Sequence, residues 1–170
     1  MSGITKTITV ARCAEDCFFY LSDVRNLIEW DPAVSDTRKD SQGPVAKGSC
    51  FTVSVAIGVL SIPFRYIITE QCPNQRIVIA GRSSFLNVND TIELSEADGQ
   101  TTISYRAEFH FKFGLERIFS ELADALDIQC QRAIDGLESA LTATADEAVL
   151  SARNARADSQ TLSALRTFTR

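Results

Sequence analysis

Ile103-Ser-Tyr-Arg-Ala-Glu-Phe-His-Phe-Lys-Phe113-Gly114 is the stretch on which the fold turns. Ile103, Tyr105, Ala107, Phe109, Phe111 and Phe113 share one face, while Arg106, Glu108, His110 and Lys112 share the other, the period-two signature of a half-buried strand. After Gly114 the period changes. Leu115, Phe119, Leu122, Leu126, Cys130, Ala133, Leu137 and Leu141 recur at spacings of three and four, which predicts one apolar stripe along a helix over about 115–141. A strand with one apolar face running into a helix with one apolar stripe implies that the helix packs on the strand's own sheet.

Upstream, residues 33–113 read as strands at about 33–39, 49–57, 62–71, 76–83, 88–97 and 101–113. Turn signals separate them at Ser41-Gln-Gly-Pro44, Gly58, Cys72-Pro-Asn-Gln75, Ser83 to Asn87, and Asp98-Gly99. A meander is the economical topology. Ile4, Ile8 and Val10 alternate with Thr in an opening strand that only Lys6 interrupts. A short helix follows at Ala14–Leu21, with Glu15 and Asp16 in its first turn, then a second that Asp23 caps and Asp31-Pro32 stops just after Trp30. The expected fold is α+β: a curved seven-stranded antiparallel sheet, two short helices and one long C-terminal helix, with residues 3–12 pairing the last strand. Residues 1–141 form the predicted domain. Residues 142–170 are an Ala/Arg-rich tail, expected to be weakly helical or disordered, and those from about 145 are expected to be dispensable for folding.

Composition narrows the function classes. A chain of 170 residues with 45% hydrophobic content can build one sizeable core, and a net charge of −5 offers no broad basic field for nucleic acid. No apolar run approaches a membrane span and the N-terminus lacks a signal-like segment, so a cytoplasmic protein is expected, a reading compatible with transient membrane contact. The 5 cysteines form no Cys-x-x-Cys pair and a single histidine, His110, is present, so reduced and mostly buried thiols are expected, with no metal and no cofactor.

The run Phe18-Phe-Tyr-Leu-Ser-Asp-Val-Arg-Asn26, ending in Trp30-Asp31-Pro32, is similar to the "F-x-x-L-x-D-x-x-N" pattern, followed by Trp and Pro, of the START-like superfamily. Within it the chain most resembles the bacterial branch of polyketide cyclase/dehydrase and lipid-transport proteins, SRPBCC, related to birch-pollen-allergen-like proteins. Ala46-Lys-Gly48 and Glu70 before a Pro turn fit the same resemblance, which spans about residues 3–141. It implies a helix-grip fold with an internal cavity for lipids, polyketides or isoprenoid-like molecules. The family includes cyclases, hydrolases and carriers, so the resemblance leaves activity open.

Alternate turns of a meander lie at the same end of its sheet. Ile57 to Leu60, Phe85-Leu86 and Phe113 to Leu115 thus gather at one end, a candidate cavity mouth, opposite the polar turns. Candidate ligand contacts are Trp30, Phe51, Tyr66, Arg82, Phe85, Asp90, Tyr105, Phe109, Phe119, Leu122 and Leu126. For the aromatic residues the same spacing fits a plain core. Asp90 is the sharpest signal, because it shares the apolar face of Ile92 and Leu94, where a carboxylate is costly unless paired or used. Arg82 is either a ligand contact or one half of a structural ion pair, and His110 falls on a polar face. No Gly-x-Ser-x-Gly and no Gly-rich phosphate loop occurs, so catalytic residues are not assigned. Three readings stand: a non-catalytic binder or carrier of a hydrophobic small molecule, a polyketide cyclase or dehydratase, and a protein-interaction module.

Overall fold

The computed structural model describes residues 2–57, 60–112 and 127–143. In chain order its elements are β1 (Ser2–Val10), α1 (Ala14–Ser22), a 3-10 turn (Val24–Asn26), α2 (Leu27–Trp30), β2 (Val34–Lys39), β3 (Cys50–Ile57), β4 (Leu60–Cys72), β5 (Arg76–Arg82), β6 (Leu86–Ala97) and β7 (Gln100–Phe111). A last helix, α3, covers 127–143. The strands form one sheet in the order β1-β7-β6-β5-β4-β3-β2, antiparallel at every step. This is the helix-grip architecture the periodicity predicts.

Alternation explains the sheet. Along β5 and β6 every second side chain is buried, from Ile77 and Ile79 to Leu86, Val88, Asp90, Ile92 and Leu94, while their neighbours face outward. Asp98 and Gly99 both take positive φ, 52° and 73°, which closes the two-residue turn between β6 and β7 and sets their register. β1 then pairs with β7 from Ser2 opposite Phe109 to Val10 opposite Thr101. It stops at Val10, short of Arg12, because β7 itself begins at Gln100.

The two-helix segment is held by long-range polar contacts. Glu96 on β6 accepts a hydrogen bond from the Ala14 N–H at 2.7 Å, placing a carboxylate at the N-terminus of α1. Thr101, fully buried, donates its hydroxyl to the Arg12 carbonyl at 2.6 Å. The Phe18-to-Asn26 motif resolves into packing and turn formation. Phe18 and Leu21 enter the core, Asp23 accepts from the Arg25 N–H at 3.1 Å, and Asn26 donates to the Tyr20 carbonyl at 2.8 Å.

The α3 stripe buries Ala133, Ile134, Leu137 and Leu141 against this core. At Gly136 a Cβ would overlap the Trp30 carbonyl oxygen, so α3 crosses the end of α2 in backbone contact. The cysteines correct one expectation. All five are free, yet Cys17 alone is buried, Cys50 and Cys130 are half-buried, and Cys13 and Cys72 are exposed because they stand at the start of α1 and at the β4–β5 turn.

Candidate ligand cavity

Between α2, α3 and the inward face of the sheet lies a cavity of about 100 Å³. Alternate positions of six strands supply its described walls: Ile4 and Lys6 of β1, Val34 of β2, Val55 and Ile57 of β3, Phe64 and Tyr66 of β4, Leu86, Val88 and Asp90 of β6, and Tyr105, Ala107 and Phe109 of β7. α2 and its C-cap contribute Leu27, Trp30 and Asp31, and α3 contributes Gln129, Cys130, Ala133 and Ile134. Ala107 sits opposite Asp90 across the β6–β7 ladder, and its single methyl leaves space that a larger side chain would fill.

The aromatic members fix one another. Trp30 meets Tyr105 edge to face at 6.2 Å, and Phe64 lies 5.9 Å from Tyr66. Gly81 makes room for Tyr66. A Cβ there would fall 2.8 Å from the Tyr66 ring and 2.6 Å from Val88 Cγ1, so glycine in this strand is a packing requirement.

A group of ionisable residues stands out in these apolar walls. Asp90 is 6% exposed, and burial pushes its carboxyl up to about 7, with the Asp31 charge adding to the rise and the Tyr105 hydroxyl, which donates toward it, opposing it. Burial also raises Asp31, against a 2.9 Å hydrogen bond from the Ala33 N–H. Tyr66 and Tyr105 are raised well above the usual phenol range, first by burial and then by the Asp90 charge. Burial raises the Cys130 thiol to about 12. Both phenols and the thiol are therefore neutral at physiological pH. Tyr66 is 9% exposed, and its hydroxyl has no hydrogen-bond partner among the described residues. Asp90 can hold or release a proton near neutrality, while Tyr66 offers an unused donor and acceptor to whatever enters.

The structure brings together Trp30, Tyr66, Asp90, Tyr105 and Phe109 around this space. It does not bring the others there. Phe51 is fully buried core and Phe85 is half-buried against the core, neither of them on the cavity wall. Arg82 is a correction: inward positions on β5 are Ile77, Ile79 and Gly81, so Arg82 points outward, paired in register with Asn87 and grouped with Asn89, His110 and Lys112 on the other face. Phe119, Leu122 and Leu126 lie outside the described residues, as do most of the three loops read as a mouth. Of those loops, Ile57 and Leu86 line the cavity.

Sequence reasoning missed Lys6, Asp31, Ala107, Gln129 and Cys130 as wall residues. Two carried a usable signal. Lys6 interrupts the apolar face of its strand, and Asp31 lies in a motif that fixes its position beside Trp30. Among the described residues no group of three or more His, Cys, Asp and Glu side chains is arranged to hold a metal ion, and no helix is long and apolar enough to cross a membrane.

A helix laid on a seven-stranded sheet, with a cavity between them, defines a helix-grip protein. The chain belongs to the polyketide cyclase / dehydrase and lipid transport family, whose sequence profile matches residues 1–142. Among solved structures it is similar to a START superfamily protein from Mycobacterium smegmatis, with 17% identity over 84% of this chain and 100% of the other, at a TM-score of 0.66. The Zhui aromatase/cyclase from a Streptomyces strain is similar at 14% identity over 86% of this chain and 94% of that one, with a TM-score of 0.68. Ara h 8.0201 is similar at 16% identity over 82% and 96%, with a TM-score of 0.61. At these identities the likeness is one of fold. No curated protein matches the chain by sequence.

Proposed function

We propose that the protein binds a hydrophobic small molecule in the cavity between sheet and α3, as a binder or carrier. One observation supports this most: a close-packed interior ordinarily has few voids larger than a water molecule, yet here a cavity of about 100 Å³ is walled mainly by apolar side chains and holds a buried acid and a phenol with no hydrogen-bond partner among the described residues. An engineered apolar cavity of about 150 Å³ takes up benzene, so this space suits a ring or short chain, with a longer ligand extending beyond it.

The test is native mass spectrometry of the protein purified from its own host, beside an Ala107→Phe variant that fills the cavity. Retention of an apolar molecule by the wild type and its loss from a folded variant is the expected result. Equal retention by both would place the ligand elsewhere, and retention by neither would remove the support for this reading.

A second reading, ring closure or dehydration of a polyketide-like chain, is favoured by the Asp90–Tyr105 pair. A carboxyl poised near neutrality beside a phenol is chemically able to exchange a proton with a bound carbonyl compound. It predicts that Asp90→Asn retains binding and loses turnover.

A further inference from the structure

The cavity has a charge character that its apolar walls do not require. Among the described residues two carboxyls, Asp90 and Asp31, face it, against one ammonium, Lys6. Lys6 lies beside Tyr105 in the β1–β7 ladder, and among the described residues it forms no ion pair with either acid. A buried carboxylate without a cationic partner is expensive, and among the described residues Asp90 has only the Tyr105 hydroxyl directed at it. Beside it stands Tyr66, nine-tenths buried, whose hydroxyl has no partner among the described residues. Among the described residues this group is bonded to no hydrogen-bond donor carrying positive charge.

We propose that the molecule held in this cavity ends in a protonated amine, placed against Asp90 and the Tyr66 hydroxyl, and not in a carboxylate or phosphate. The proposal rests on the ligand-cavity reading above and names the chemistry of the ligand's polar end. An ammonium supplies Asp90 with a charge-assisted hydrogen bond, and its further N–H groups are donors that the Tyr66 oxygen can accept. The surrounding rings of Trp30, Tyr66 and Tyr105 favour a cation through their π faces, a preference strengthened where water is excluded. An anionic end in the same place would face Asp90 and Asp31 together. Its only counter-charge on the described walls would be Lys6.

The test compares octylamine, octanol and octanoate, which share one tail, by ligand-observed NMR titration of the whole chain at pH 8. Asp90, raised to about 7, is then mostly ionised, while the alkylammonium stays protonated. The wild type is expected to bind octylamine at least about tenfold more tightly than octanoate, the scale of one charge-assisted contact in a desolvated site. Asp90→Asn should bring that ratio to within about twofold while leaving octanol binding in place, as the loss of a charge-specific contact requires. Lys6→Met, which removes a like charge from the wall, should tighten octylamine binding.

Octanoate binding as tightly as octylamine, or losing its binding in Lys6→Met, would overturn the proposal by putting an anion in the site. A preference for the amine that survives Asp90→Asn would assign it to the general negative charge of the surface and overturn the proposal equally. If none of the three ligands binds, the cavity reading itself fails, a result distinguishable from binding with the wrong preference.

Discussion

At the scale of single residues Asp90 decides most. It occupies an inward position that alternation assigns to an apolar side chain, between Val88 and Ile92. Its folded-state pKa of about 7 lies above the value near 3.9 of an unfolded aspartate, so between these limits the folded protein binds more protons and its stability falls as pH rises. The destabilisation is fully present above about pH 7 and absent below about pH 3. Asn cannot ionise, so the stability of Asp90→Asn relative to wild type should shift in the variant's favour by about 4 kcal/mol between pH 3 and pH 8, as three pKa units require. Urea unfolding at the two pH values measures this, and a difference that stays flat would show that a cation or further hydrogen-bond donor stabilises the ionised Asp90. The residue was legible in the sequence because a lone acid on an apolar face violates the local pattern. Arg82 obeys the same alternation from the other side: counting by twos from Ile77 and Ile79 puts it on the outer face, away from the cavity.

Among the elements, α3 and α2 show what a periodic pattern cannot reveal. The stripe through Cys130, Ala133, Leu137 and Leu141 was readable because each residue answers to its own helix. Gly136 lies off that stripe, and its role comes from a neighbour more than a hundred residues upstream, where the Trp30 carbonyl occupies the space of a Cβ. Two effects of Gly136→Ala oppose each other. Alanine favours an exposed helix interior over glycine by about 1 kcal/mol, whereas forcing atoms into filled space costs about 1–3 kcal/mol, and here the obstructing atom is backbone that cannot rotate away. The clash should win, leaving the variant less stable by about 1–2 kcal/mol in chemical unfolding. A variant as stable as the wild type would mean that α3 slides along α2 at little cost. The strand boundaries, by contrast, fell within two residues of the reading because turns such as Asp98-Gly99 state their own geometry.

For the whole molecule, the question is how much of the chain the fold needs. Every strand is paired in a single sheet, and one contiguous core runs from Ile8 on β1 to Leu141 on α3, where the family match also ends, at residue 142. Beyond that point Val149, Leu150, Leu162, Leu165 and Phe168 are the large apolar residues among Ala, Ser, Thr and Arg. Fixing a residue's backbone costs about 1–2 kcal/mol, and a fully buried large apolar side chain returns about 1.5–3 kcal/mol, so five such side chains offset the ordering of only about ten residues. The segment after Thr144 is more than twice that length. We therefore expect a chain truncated after Thr144 to melt within about two degrees of the full chain, the scale below which a domain of this size has lost no packed element. Octylamine binding should also be unchanged, since the described walls of the cavity come from residues 4–134. Differential scanning calorimetry of the two chains gives the comparison. A drop of many degrees would show that the tail covers part of the domain, and a drop in binding alone would show that it reaches the cavity.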